Sequence, residues 1–333
     1  MPIFCTQSLG AFNDSLFKQA VVLFVTYQLY SDPTREAQFN AIAQALFILP
    51  FFILSAAAGQ LADVRDKARI IRAVKTAEIL IMLVGGLGLW LANVPLMLAA
   101  VFAMGVHSTF FGPIKYAILP QHLRKDEVLG GTGLVEAGTY LAILGGTVAA
   151  GALAANPKAA AVACIVIACI GLVAGRQVPP APPMSDARPP DWHILRASWR
   201  LVHDTMHIPR LFLAICSISF FWTIGAVLII IFPPLVKNVL GANEFVASLF
   251  IAIFSVGVAI GSIAINRLLK SEVSARYAPA SVLAMAAFVL MLDVVSRSWA
   301  VDNAGELITL GNFIYEPAAP LLIVALLGIS ITG

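Results

Sequence analysis

Gly59-Gln60-Leu61-Ala62-Asp63-Val64-Arg65-Asp66-Lys67-Ala68-Arg69 places five charges within eleven residues. The sequence around it is of the opposite kind. Ile79 to Leu91, downstream, holds no polar side chain, and Ala41 to Ala58, upstream, holds only Gln44 and Ser55. A short charged turn between two long apolar runs is the pattern of a polytopic membrane protein. Each run is long enough for a helix that crosses the hydrocarbon core in about 20 residues. Backbone polar groups cannot face lipid unpaired, so such runs read as helices.

Working outward, the same pattern recurs along all 333 residues. Spans are expected near 3–30, 38–62, 74–92, 95–119, 128–153, 159–175, 210–235, 244–266, 277–296 and 318–333. The fold class is therefore all-α, with about ten spans. Composition agrees: 60% of residues are hydrophobic and only 12% are charged, where soluble domains carry about 25% charge. This excludes a nucleic-acid-binding module, a disordered chain and an ordinary cytoplasmic enzyme. The period-two alternation of a membrane barrel is missing. Asp14 and Lys18 interrupt the first apolar stretch, unlike a signal peptide. The final run is short for a span, so the chain reads as ending inside its tenth helix, with Leu307 to Pro317 a loop or interfacial segment before it.

Lysine and arginine near span ends collect on the cytoplasmic side. Alternate loops carry 15 of them on one side and 4 on the other, out of 21. The richer side holds Arg65 to Lys75, Arg124 and Lys125, Arg176 to Arg210, and Arg267 to Arg276; the poorer holds Arg35, Lys158, Lys237 and Arg297. The N-terminus is thus expected in the cytoplasm. The longest cytoplasmic loop, 176–209, is proline-rich through Pro179-Pro180 and Pro189-Pro190, then basic and aromatic through Trp192, Arg196, Trp199 and Arg200. Extended backbone followed by an amphipathic surface helix is expected there. The loop divides 1–175, with six spans, from 210–333, the layout of a transporter with two six-helix halves.

Charge at span depth is costly, about 2.5–3.5 kcal/mol on insertion scales, and should face protein or a wet cavity. The first span holds Asn13, Asp14 and Lys18, the last two sharing a face at i,i+4. They read either as a locked helix pair or as a substrate site. In the fourth span Gly112-Pro113 is expected to disrupt the helix, and Lys115 follows it. Lys115 either snorkels to the interface or contacts an anionic head group. Glu136 and Tyr140 share a face of the fifth span, and Glu136 is the natural partner of Lys115 or a proton-coupling carboxylate. Trp222, Thr223, Pro233 and Pro234 suggest a gate-like seventh helix that bends or ends at its outer edge. His203 and His207 have metal-ligand spacing with no third ligand near, so no metal is expected. Cys5, Cys164, Cys169 and Cys216 lie in apolar runs as small core residues. No nucleotide-phosphate loop or buried nucleophile set appears, so neither a cofactor nor an enzyme is expected.

The Gly59–Arg69 loop resembles the signature loop of the major facilitator superfamily, with Asp66 where glycine is usual. Two further blocks resemble the superfamily's lysophospholipid transporter branch. They are Gln7-Ser8-Leu9-Gly10-Ala11-Phe12-Asn13-Asp14-Ser15-Leu16-Phe17-Lys18 and Phe111-Gly112-Pro113-Ile114-Lys115-Tyr116-Ala117-Ile118-Leu119-Pro120-Gln121, followed by Gly131 to Gly138 with Glu136. The resemblance implies twelve spans in the complete family and inward movement of lysophospholipid across the bacterial inner membrane by alternating access. From their depth in the spans, Asn13, Asp14, Lys18, Lys115, Glu136 and Tyr140 are the residues expected to line or gate a head-group route. A conformational latch would be formed by Gly59, Asp63, Arg65, Lys67 and Arg69. Membrane lipids, acyltransferase and acyl-carrier-protein ligase activities are the implied partners, and nucleic acid is not. The competing expectations are a carrier of another small solute, such as a drug or sugar, and a truncated scaffold for phospholipid acylation.

Overall fold

In the computed structural model the chain is a bundle of long helices. The structure describes residues 2–124, 127–183, 193, 196, 198–199, 202–203, 206–268, 276–299 and 307–333. The helices are α1 (Pro2–Phe24, continued by a π-helical turn, Val25–Leu29), α2 (Pro33–Val64), α3 (Lys67–Trp90), α4 (Val94–Ala117), α5 (Leu119–His122), α6 (Val128–Leu153) and α7 (Pro157–Arg176). Then come α8 (Pro209–Asn238), α9 (Glu244–Leu268), α10 (Ala278–Arg297), α11 (Leu310–Tyr315) and α12 (Ala319–Thr332). Each long helix falls on an expected apolar run. Among the described residues, five helices have the length and apolar composition to cross a membrane.

Local sequence chemistry sets the helix starts. Asp32, Asn93 and Asn156 each accept a backbone N–H of the following turn at 2.9–3.1 Å. A proline stands in the first turn of each of those helices. This is the favoured N-terminal pairing, because a capping oxygen replaces one missing helical bond and proline has no N–H to satisfy.

α1 packs along α6 and α7, α2 along α4, and α3 along α4 and α7. The later helices form a second group in which α12 lies against α9 and α10. The groups meet through α6 with α9 and α2 with α8. Large apolar side chains cover the outside: Phe52, Leu141 and Leu283 are 70–75% exposed. Charged Glu36, Lys67, Lys75 and Glu78 are all buried. An apolar exterior around buried charge suits lipid and not water.

Several expectations need correction. α4 runs unbroken through Gly112-Pro113 and turns only at Ile118. α8, expected to bend or end at its outer edge, includes Pro233-Pro234 and ends there, at Asn238. Proline lacks one N–H, and the remaining ladder carries both helices past it. Part of the segment before α12 is helical, as α11. The amphipathic helix expected around Trp192 to Arg200 lies mostly outside the described residues.

Asp66 takes glycine's place in the α2–α3 turn without strain. Its φ of −61° is ordinary, and its carboxylate caps α3 by accepting the N–H groups of Ala68 and Arg69 at 2.8 and 3.2 Å. It also accepts the Ala181 N–H at 3.4 Å, and the Lys67 N–H donates to the Ala181 carbonyl at 2.9 Å. The start of the proline-rich loop is thereby strapped across this end of the bundle. Gln121 donates to the Pro182 carbonyl and Arg72 to that of Val178.

Partial burial pushes the Asp66 carboxyl up, but the N–H groups of Arg69, Ala181 and Ala68 outweigh it and hold it below its ordinary 3.8. A lowered folded-state value means stabilisation that is present above the ordinary value and is lost as pH falls through the lower one. Asp66→Ala is expected to cost about 1 kcal/mol, the usual worth of an N-cap. Thermal unfolding in detergent should show that gap in full at pH 7 and see it close below pH 3.8. A gap that is constant with pH would contradict the capping role.

Candidate functional site

Polar groups from three helices meet in the interior of the α1–α7 group. Glu78 of α3 is their centre. Its Oε2 accepts from the Lys75 ammonium at 2.7 Å, and its Oε1 from the Asn13 amide of α1 at 2.8 Å. His107 Nε2 of α4 stands 3.4 Å from Oε2, long for a hydrogen bond. The next residue, Ser108, donates to Asp14 Oδ2 at 2.5 Å. Lys75 and Glu78 are 0% and 1% exposed, whereas Asp14 is half-buried. The cluster therefore grades from a sealed ion pair to a half-buried residue whose carboxylate is turned inward.

Not every polar atom here is satisfied. Among the described residues, Asn13 Oδ1, Asp14 Oδ1 and, nearer the helix start, Gln7 Oε1 and Ser8 Oγ are buried without a hydrogen-bond partner. All four belong to α1, Gln7 and Ser8 facing α6, Asn13 facing α3 and Asp14 facing α4. Buried polar atoms are normally paired, and unpaired ones in a native fold mark water or a ligand group.

The structure brings Asn13 and Asp14 together with residues that sequence reasoning had passed over. Lys75 was counted as a loop charge; it lies two turns inside α3. Glu78, His107 and Ser108 were not singled out. Lys75 and Glu78 are i,i+3 on one helix, and that spacing was the available signal. The expected Asp14–Lys18 pairing is replaced. Asp14 takes Ser108, and the Lys18 ammonium lies 4.7 Å from the centre of the Phe47 ring. A ring face attracts a cation and competes with a carboxylate on a neighbouring turn.

Lys115 sits in the last turn of α4, half-buried, 4.7 Å from the centre of the Tyr116 ring. Tyr140 is 42% exposed on α6 and stands outside the cluster. The Glu136 side chain, and with it the expected Lys115–Glu136 pair, lies outside what the structure describes. At the α2–α3 turn Asp63, Arg65 and Arg69 are exposed, while Lys67 is buried. Among the described residues no ion pair joins Asp63 to any of the three cations. A Cβ on Gly59 would meet nothing within 4 Å.

At the opposite end of the bundle a second polar group joins α8 to α1 and α2. Lys237 pairs with Glu36 Oε1 at 2.5 Å and Asn238 donates to Glu36 Oε2 at 2.7 Å. Tyr27 Oη donates to the Ala242 carbonyl at 3.2 Å.

The chain is 28% identical over 329 residues to the lysophospholipid transporter LplT of Serratia proteamaculans, covering 96% of this chain and 78% of that protein. It is 27% identical over 332 residues to LplT of Citrobacter koseri, covering 97% and 79%. Among solved structures it is similar to a D-xylose–proton symporter, with a TM-score of 0.64, 13% identity, and 99% of this chain and 79% of that one covered. It is also similar to a bacterial homolog of the human lysosomal transporter Spinster, with a TM-score of 0.67, 13% identity, and 99% and 72% covered. These structural likenesses establish the helical-bundle fold. The Major Facilitator Superfamily model matches residues 3–332, and with a bundle of this architecture around buried charge, the chain belongs to that superfamily: a polytopic membrane transporter, not an enzyme, that moves a small solute by alternating access.

Proposed function

We propose that the solute is a lysophospholipid, moved inward across the bacterial inner membrane. The carrying observation is on α1, where Asn13 and Asp14 keep unpaired buried oxygens beside the Lys75–Glu78–His107 cluster. A zwitterionic or anionic head group needs such a polar, protein-lined path, while its single acyl chain needs only apolar helix surface. The LplT relatives, aligned over nearly the whole chain, support the same cargo.

In this reading 1–175 and 210–333 belong to the two moving halves, and 176–209 links them on the cytoplasmic side. The N-terminus is cytoplasmic; the asymmetry of lysine and arginine survives the removal of Lys75 from its count. The Glu36–Lys237 contact then closes the extracytoplasmic end. Asp63, Arg65, Lys67 and Arg69 with Gly59 belong to a latch at the cytoplasmic end. Exposed, unjoined latch charges fit a latch released while the other end is shut. Asp14 and Lys18 gate the head-group route, with Glu136 and Tyr140 further along it. Lys115 meets the phosphate. Re-acylation by acyltransferase and acyl-carrier-protein ligase activities follows on the cytoplasmic side.

The test is movement of labelled lysophosphatidylethanolamine into liposomes holding the purified protein. Transport above empty liposomes is expected. Lys115→Ala should lower it by about ten- to a hundredfold, the worth of one charged hydrogen bond of 1.5–3 kcal/mol, with little change in melting temperature. Equal transport at equal reconstitution removes Lys115 from the route. No lysolipid movement by folded protein overturns the cargo.

A further inference from the structure

Lys237 is held by one carboxylate and two backbone carbonyls. Its ammonium donates to the Thr26 carbonyl at 2.5 Å, to the Tyr30 carbonyl at 2.9 Å and to Glu36 Oε1 at 2.5 Å. The centre of the Tyr27 ring lies 6.0 Å away. An ammonium has three N–H donors and no acceptor, and three acceptors converge on it here. All of them come from residues 26–36, so the receptor belongs to the end of α1, its capping residue Tyr30 and α2, and the ligand to α8. The π-helical turn explains the carbonyls. The last carbonyls of a helix have no partner within it and carry the negative end of its dipole, and a π turn is a frequent mark of a functional site. Glu36 is fully buried, its second oxygen held by Asn238.

Alternating access requires α8 to leave this corner when the end opens. Lys237 and Asn238 leave with it, and a buried carboxylate with two oriented carbonyls remains. Such a set is costly to leave empty of positive charge. We propose that Thr26 O, Tyr30 O and the Glu36 carboxylate form a primary-ammonium site. Lys237 fills it in this conformation, and the ammonium of an amine-bearing head group fills it when α8 withdraws. The site itself follows from its geometry; the cargo that visits it rests on the lysophospholipid reading. Lys237 is then a tethered competitor, which makes closure of this end and release of the head group one event.

The experiment reads the site without reading transport. Lys237→Ala in the full chain empties it. Thermal unfolding of this variant in detergent is followed with ethylammonium, tetramethylammonium or sodium chloride at equal ionic strength. The primary ammonium is expected to raise the variant's melting temperature by several degrees and leave the wild type unmoved. Tetramethylammonium, which has no N–H, is expected to act no better than sodium. An equal response to all three salts, or none, overturns the site.

A variant that does not fold is bypassed with the wild type. Lys237 acetylation, followed by mass spectrometry in micelles, should rise severalfold with lysophosphatidylethanolamine and stay level with lysophosphatidylcholine. Equal labelling overturns exchange of the two ammonium groups. Because the salt experiment contains no lipid, its failure leaves the cargo reading standing, and failure of liposome transport leaves the ammonium site standing.

Discussion

Glu78→Ala is expected to be among the most destabilising single changes in this chain, costing about 3–5 kcal/mol. The substitution leaves the Lys75 ammonium, 0% exposed, without its counter-charge, and the Asn13 amide without its acceptor. The cost lies in the stranded charge more than in the lost attraction. Removing both charges should therefore undo most of it: Lys75→Met with Glu78→Leu replaces the pair by apolar groups of similar size, an exchange that is often neutral or better. Melting temperatures in one detergent decide the matter. A double variant no more stable than Glu78→Ala would mean that the pair holds α1, α3 and α4 together by its geometry and not by mutual neutralisation.

Gly105→Ala is the second. A Cβ at this position on α4 would run into the Phe47 carbonyl of α2, which is backbone and cannot rotate aside. The two helices must separate, at about 1–3 kcal/mol for an overpacked contact. Gly59, near the end of α2, has nothing within 4 Å of its Cβ position and no proline after it. Gly59→Ala should therefore gain up to about 1 kcal/mol from helix propensity alone. The two alanines should move the melting temperature in opposite directions, and a shared direction would contradict the α2–α4 contact.

The span map was legible because about twenty consecutive apolar residues in lipid have one solution. Helix ends were less so. α3 starts at Lys67, seven residues before the expected 74, because hydropathy reports the hydrocarbon layer and a helix extends past it with charged turns. The same effect hid Lys75. Counted by sign, it was one more loop cation; only the packing of α3 against α4 and α7 turns it inward onto Glu78. His107 and Ser108 were unmarked because the cluster joins residues 13, 78 and 107, a proximity that no local spacing encodes. For Asp14 and Lys18 the i,i+4 rule gave a correct shared face but the wrong partners, since Ser108 and Phe47 arrive from other helices. Lys237 looked like a solvated outer charge until α8 set it against the carbonyls at the end of α1.

The wide turn at Val25–Leu29 also bears on how related chains can differ. A helix that holds one surplus residue can lose it and regain its ordinary winding, with everything before and after kept in frame. A deletion within 25–29 should therefore heal the backbone where a deletion elsewhere in α1 would throw half its side chains off their faces. What would vanish is the splayed pair of oxygens that Lys237 now occupies. This corner can be gained or lost in a single genetic step that leaves the rest of the molecule intact.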